Sequence, residues 1–287
     1  LRVGLDCANG ASYAIAPRVF QKIGARLDVI NAMPDGENIN VECGSTHPEA
    51  IQRRVQKHEL DVGITFDGDA DRVLLVDRKG RLVTGDHILA ICALSGGDTE
   101  VVATLMTNLG VEHYMNDHGI RLHRVQVGDR YVHEELNRRG LRLGGEQSGH
   151  VLFLDKGPTG DGILTALQLL SAVRKSDRTL EAWMDEIVTY PQALLNVSVP
   201  LALRAGLPDA AAVKEAVARA EATLAGDGRI NVRPSGTEPL VRVMVEGPDA
   251  TVVASLAQSI AEAVAASAAE PAGEAVATPA TEKSTEA

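Results

Sequence analysis

The sequence predicts an α/β fold, two consecutive α/β domains followed by a smaller α+β domain, and three observations predict it. Apolar strand-like runs alternate with helical stretches up to Tyr190, the texture of a doubly wound, mostly parallel sheet. Past Pro191 the order changes to strand, helix, strand, strand, helix. Finally, 287 residues of which 45% are apolar can build more than one core. Aromatics make up only 3%, so packing rests on Val, Leu, Ile and Ala.

The elements follow in order. "LRVGLDC" is a strand, "GASYAIAPRVFQKIGA" a helix, "RLDVIN" a strand, "HPEAIQRRVQKHEL" a helix, and "DVGITF" and "RVLLVD" are strands, giving a first domain over residues 1–84. A second unit over 85–190 repeats the βαβ texture: helix "DHILAICALS", strand "EVVATLM", helix "NLGVEHYMNDHG", strand "RLHRVQV", helix "DRYVHEELNRRG", a strand pair around "LRLGGEQSGHVLF" and helix "GDGILTALQLLSAVRKS". The third domain, 191–267, holds strand "ALLNVSV", helix "DAAAVKEAVARAEATL", strands "GRINVR" and "LVRVMVE", and helix "DATVVASLAQSIAEAVAAS". Residues 268–287 are low-complexity and are expected to be disordered.

Composition narrows function. With 39 Asp and Glu against 28 Lys and Arg, a broad nucleic-acid or anionic-membrane surface is not expected, and any phosphate site must be locally basic. Cys7, Cys43 and Cys92 are odd in number and show no C-x-x-C spacing, so neither a disulfide framework nor a zinc ribbon is encoded, and a reducing, cytoplasmic setting is expected. No apolar run reads as a membrane span. The chain opens on an apparent buried strand without an initiator Met, which reads as a chain cut at a domain boundary.

Three loops carry chemistry. "FDGDADR" places Asp67, Asp69 and Asp71 within five residues of a strand's carboxyl end, where open α/β sheets bind ligands. Like charges so close destabilise one another without a cation. A calcium EF-hand would need Gly at Arg72 and Glu at Arg78, so that reading fails, and few oxygen ligands suit Mg²⁺. A D-x-D phosphatase with Asp67 as nucleophile is the alternative, although Asp71 stands where Thr or Val is usual. An acidic surface turn is the plain alternative. "RPSGTEP" joins two strands; Arg233, Ser235, Gly236 and Thr237 make a phosphate cradle, with Arg242 alternating into the same pocket, against the competing reading of a structural hairpin turn. "GGEQSGH" offers Glu146, Gln147 and Ser148 to sugar hydroxyls, with His150 as a candidate acid or base; a β-turn with a structural His is the plain alternative. His47, in "CGSTHPE", reads as an ordinary loop residue before a helix that Pro48 opens.

"DCANGA", "FDGDADR", "LMTNLG", "VGDRYV", "GEQSGH", "GPTGDGI" and "RPSGTEP", in this order, resemble the α-D-phosphohexomutase family, and residues 1–267 resemble its second, third and fourth domains. The resemblance implies a Mg²⁺ held by Asp67, Asp69 and Asp71, sugar hydroxyls bound by Glu146 and Ser148, and the non-reacting phosphate gripped by Arg233, Ser235, Gly236 and Thr237. It places Arg72 near the reacting phosphate. Gln147, where relatives more often carry Met, points to a hexosamine phosphate as substrate. The family's phosphoserine loop belongs to a first domain that these residues do not resemble, so no nucleophilic serine is named and the chain alone is expected to be inactive. The family resemblance further implies a small-molecule partner, no nucleic acid or membrane, and a homodimer for the full-length protein. A mutase of mannose or glucose phosphates, a sugar-phosphate hydrolase and a non-catalytic phosphosugar-binding module are the competing readings.

Overall fold

The structure, a computed structural model, describes residues 1–236 and 238–269, which divide into two compact units, 1–189 and from Tyr190 onward. In the first unit β1 (Arg2–Asp6) leads through a short 3₁₀ turn at Ala11–Tyr13 into α1 (Ala16–Lys22) and β2 (Arg26–Ile30). The single helix expected over residues 10–25 is thus broken, and Pro17 explains where the α-helix restarts, because proline suits a helix's first turn. After α2 (Glu49–Lys57) come β3 (Val62–Phe66), β4 (Val73–Val76) and the short β5 (Leu82–Val83). The sheet order is β2-β1-β3-β4-β5, with β1 parallel to β2 and β3 and the remaining pairs antiparallel. The sheet is therefore less parallel than the alternation of elements suggests.

Helix α3 (Gly85–Gly96) starts with a capping box between Thr84 and His87 and ends on Gly97 at φ +72°. Every residue from Gly85 to Ala93 is buried, and beyond the polar Asp86 and His87 of its first turn the helix is apolar on all faces through Ala93. A second sheet is built from β6 (Glu100–Thr104), α4 (Leu109–Asp117), β7 (Arg121–Val125), α5 (Asp129–Arg139), β8 (Leu143–Gly145) and β9 (Val151–Phe153), in the order β7-β6-β8-β9, with only β9 antiparallel. Helix α6 (Gly162–Lys175) packs on α3, on β4 of the first sheet and on β9 of the second. One continuous core, including Leu5, Phe66, Ile88, Ile91, Leu143 and Leu169, therefore runs through both sheets.

The sequence reading does not include α7 (Leu180–Glu186), although Thr179 caps it by accepting the Ala182 N–H at 3.2 Å; its seven residues bury only Leu180 and Trp183. Arg178 stacks over the Trp183 ring at 4.1 Å, and Lys79 and Arg81 of the β4–β5 hairpin pair with Asp185 at 3.0 and 2.5 Å. The ion pairs from the β4–β5 hairpin hold this short helix from a distant part of the chain.

The second unit has the expected βαββα order: β10 (Gln192–Ser198), α8 (Ala211–Leu224), β11 (Arg229–Pro234), β12 (Leu240–Glu246) and α9 (Ala250–Ala269). Its sheet is antiparallel with β12 central, and α8 and α9 cover one face over Val213, Val243, Val245 and Ile260. Contrary to the sequence reading, α9 is by length and composition apolar enough to cross a membrane. Its hydropathy comes from small Ala and Val side chains, and Val253, Ala257, Ile260, Ala261 and Val264 form a buried stripe against the unit's core, the spacing of an amphipathic core helix. Ala268 and Ala269 close this helix; the remainder of the expected disordered tail lies outside the described residues.

Candidate active site

The loop 67–72 leaves β3 at the carboxyl end of the parallel part of the first sheet. One oxygen from each of Asp67, Asp69 and Asp71 lies within 4.8 Å of the others. Asp67 is buried, Asp71 half-buried and Asp69 exposed. Burial, then repulsion from Asp71 and Asp69, pushes the Asp67 carboxyl up to about 6, against the pull of the Arg72 backbone N–H at 3.2 Å. Oδ1 of Asp71 is buried and accepts no hydrogen bond among the described residues. The Arg72 Nε lies 3.7 Å from both Asp67 and Asp71, a partial counter-charge at the mouth of the cluster. Three carboxylates, one of them with an orphaned buried oxygen, are the donor set of a hard divalent cation held by few protein ligands, so Asp67, Asp69 and Asp71 could hold a metal.

The turn between β8 and β9 lies against this loop. Glu146 donates its N–H to the His150 carbonyl at 2.9 Å, and Gly149 donates to the Glu146 carbonyl at 3.0 Å, closing the turn. Val73 donates to the Gly149 carbonyl at 3.2 Å, and Gly85 to the Gln147 carbonyl at 3.0 Å, which pins the turn to the first sheet and to α3. Gly149 has φ +95°, and a Cβ there would sit 2.1 Å from the Val73 carbonyl oxygen, so only glycine permits this approach. The His150 ring is buried with Nδ1 3.1 Å from Asp71 Oδ2, so the histidine singled out in the sequence touches the acidic cluster directly. Glu146 accepts from the N–H of Gly128 at 2.9 Å, just ahead of α5, and Ser148 is exposed. His47 is an exposed loop residue ahead of α2.

In the second unit the loop after β11 gathers cations. Arg233 and Arg242 are direct cross-strand partners in the β11–β12 register, so two like charges face one another. Arg242 pairs with Glu238 at 2.8 Å while its Nε is buried with no hydrogen-bond partner among the described residues. Ser235 is buried, donates its N–H to the Leu240 carbonyl at 2.9 Å and accepts the Glu238 N–H on Oγ at 3.2 Å. Gly236 is exposed with open space where a Cβ would stand, and Thr237 lies outside the described residues. Such a turn can grip an anion through guanidinium groups and hydroxyls.

Three family models match in succession: "Phosphoglucomutase/phosphomannomutase, alpha/beta/alpha domain II" over residues 1–80, "alpha/beta/alpha domain III" over 84–190 and "C-terminal domain" over 194–263. The chain belongs to the phosphoglucomutase/phosphomannomutase family. It is similar to the phosphoglucosamine mutase of Deinococcus radiodurans, 52% identical over 262 residues, which are 91% of this chain and 59% of that protein. A phosphoglucosamine mutase of Thermus thermophilus is 51% identical with the same two shares. The chain thus spans about three-fifths of the length of these curated relatives. Among solved structures, a phosphoglucomutase/phosphomannomutase family protein from Burkholderia thailandensis superposes with a TM-score of 0.75 at 21% identity, covering 93% of this chain and 60% of that one. The N-acetylphosphoglucosamine mutase of Aspergillus fumigatus, in complex with GlcNAc-6P and magnesium, gives 0.73 at 21% identity, covering 93% and 62%.

Several site contacts escape a residue-by-residue reading of the sequence. Gly160 sits so close to His150 that a Cβ there would lie 2.5 Å from Nε2. "GPTGDGI" and "VGDRYV" stand out as motifs without a role for any one residue; Gly160 and Gly128 supply those roles as neighbours of His150 and Glu146. Arg204, which reaches the loop after β11, carries no local signal at all.

Proposed function

We propose that this chain supplies the metal-, sugar- and phosphate-binding parts of a phosphoglucosamine mutase, which interconverts glucosamine 6-phosphate and glucosamine 1-phosphate through a bisphosphate. The observation that carries the reading is the meeting of two loops: the acidic cluster of Asp67, Asp69 and Asp71 and the 146–150 turn, joined by His150 and by the Val73 to Gly149 backbone bond. The similarity to phosphoglucosamine mutases over 91% of the chain supports the amino sugar as substrate.

Asp67, Asp69 and Asp71 hold Mg²⁺, which when bound draws electron density from a transferring phosphoryl group. Glu146 accepts, and Ser148 donates or accepts, hydrogen bonds from sugar hydroxyls beside that point. Arg72 offers its guanidinium to phosphate oxygens once Asp67 and Asp71 are engaged elsewhere. His150 orients Asp71 and is placed to hold a proton at Nδ1. Arg233, Ser235, Gly236, Thr237 and Arg242 grip the phosphate that is not reacting, whichever end of the sugar carries it. The phosphoryl donor implied by the family is a serine of its first domain, whereas the matching models are domains II, III and the C-terminal domain.

The test is calorimetric titration of the chain with Mg²⁺, glucosamine 6-phosphate and glucosamine, followed by assay of phosphate release. Binding of the phosphosugar well above that of the free sugar, with no release, is expected. Steady release of inorganic phosphate that disappears in Asp67→Asn would replace the mutase reading by that of a hydrolase.

A further inference from the structure

The loop after β11 is held by its own strands, by a backbone bond from the Val199 N–H to the Pro239 carbonyl at 3.0 Å, and by one guanidinium from outside the hairpin. Within the hairpin, Ser235 bonds to Leu240 and Glu238 to Ser235. From the turn that follows β10, Arg204 Nη1 reaches the carbonyls of Glu238 at 3.0 Å and Gly236 at 3.5 Å. Among the described residues no other side chain from outside the hairpin donates to these carbonyls. Among the described residues the Nε of Arg204 is buried with no hydrogen-bond partner. A guanidinium is a permanently charged donor, so Arg204 adds a positive charge at the Gly236 and Glu238 carbonyls of the loop whose strands carry Arg233 and Arg242. Packing alone does not account for it, because a buried N–H left unpaired costs stability that an apolar stem of the same length would not.

We propose that Arg204 is a positioning residue of the phosphate loop, its guanidinium holding the Gly236 and Glu238 carbonyls so that Arg233 and the loop stay in the shape that grips a sugar phosphate. This rests on the reading of residues 233–237 as a phosphate site. Carbonyls drawn toward Arg204 cannot turn toward the ligand, where their partial negative charge would repel a phosphate.

The experiment measures calorimetric affinity of the full chain for glucosamine 6-phosphate and for glucosamine, in wild type, Arg204→Met, Arg204→Lys, Arg233→Ala and the Arg204→Met/Arg233→Ala double variant, each with its melting midpoint. Arg204→Met keeps the stem and removes the donors. It should lose about tenfold in phosphosugar affinity with the melting midpoint little changed. Arg204→Lys, which restores a charged donor, should recover most of it. In the double variant the Met substitution should cost little beyond Arg233→Ala, because one residue acts through the other. Full affinity in Arg204→Met, or a cost that adds fully to that of Arg233→Ala, overturns the positioning role while leaving the phosphate site in place. No loss in Arg233→Ala, or no preference of the wild type for the phosphosugar, overturns the phosphate site and the positioning role with it.

Discussion

Two loops of this molecule each crowd charges of one sign, and they are built in opposite ways. The acidic loop of the first unit is walled by backbone from distant parts of the chain. Ala11 donates to the Gly68 carbonyl at 2.7 Å, Gly162 to Ala70 at 2.9 Å and Val73 to Gly149 at 3.2 Å. The basic loop of the second unit is a hairpin turn between neighbouring strands, with Arg233, Gly236 and Glu238 exposed. The first is fixed by several backbone bonds from distant segments, the second mainly by local pairing, with Arg204 and one backbone bond from Val199 added from outside the hairpin. A change in the wall of the acidic loop should therefore reach the fold, whereas a change in the hairpin should reach only the ligand.

The largest effect is expected from Asp69→Ala. This carboxylate is exposed and packs on nothing in the core, so Mg²⁺ binding should be abolished while the melting curve stays as it was. Unchanged Mg²⁺ affinity by calorimetry would remove Asp69 from the metal site. Next comes Gly149→Ala, which forces a Cβ to 2.1 Å from the Val73 oxygen at φ +95°. It should destabilise the first unit by about 3 kcal/mol and leave the second unit's transition in place, read as two events by scanning calorimetry. A shift of both units together would erase the contrast drawn between them.

Arg233→Ala should weaken binding of glucosamine 6-phosphate by roughly 1.5–3 kcal/mol, the scale of a charged hydrogen-bonding group, and leave both melting transitions alone. An equal loss for unphosphorylated glucosamine would point instead to damage of the hairpin. The smallest effect concerns protons. The Asp67 pKa is raised from 3.8 to about 6, so without metal its neutral form favours the fold, and that contribution is present below about pH 4 and lost as pH rises through about 6. Asp67→Asn should accordingly gain melting temperature on the wild type as pH goes from 4 to 7 in the presence of a chelator. In the wild type, Mg²⁺ affinity should rise over the same interval as the proton ceases to compete. A flat Mg²⁺ affinity between pH 5 and 7 would mean that Asp67 is not a ligand.

Within each strand and helix, residue type and period are local properties, and so the βαββα order past Pro191, the helix α3 and the acidic turn after β3 could all be read in advance. The Asp67, Asp69 and Asp71 spacing is likewise local, because a loop of five residues brings its carboxylates together however the remainder folds. The seven-residue α7 is short, and although its Thr179 cap and the Arg178–Trp183 stack are local, the ion pairs to the β4–β5 hairpin that hold it are not recorded by any local pattern. The length of α9 was legible and its apolar character underrated, because alanine raises hydropathy without producing the bulky runs that catch the eye.

What the sequence by itself determined is the list of chemical parts: an acidic turn, a Gly-bounded polar turn and a basic hairpin, each defined by residues a few positions apart. What only the tertiary structure decided is their company. His150 meets Asp71 across 79 positions, Gly128 meets Glu146 across 18, and Arg204 meets Glu238 across 34. The physical reason is that such meetings depend on how the sheets and helices pack and on where glycine lets two backbones touch, and no periodicity along the chain records a distance between segments that remote.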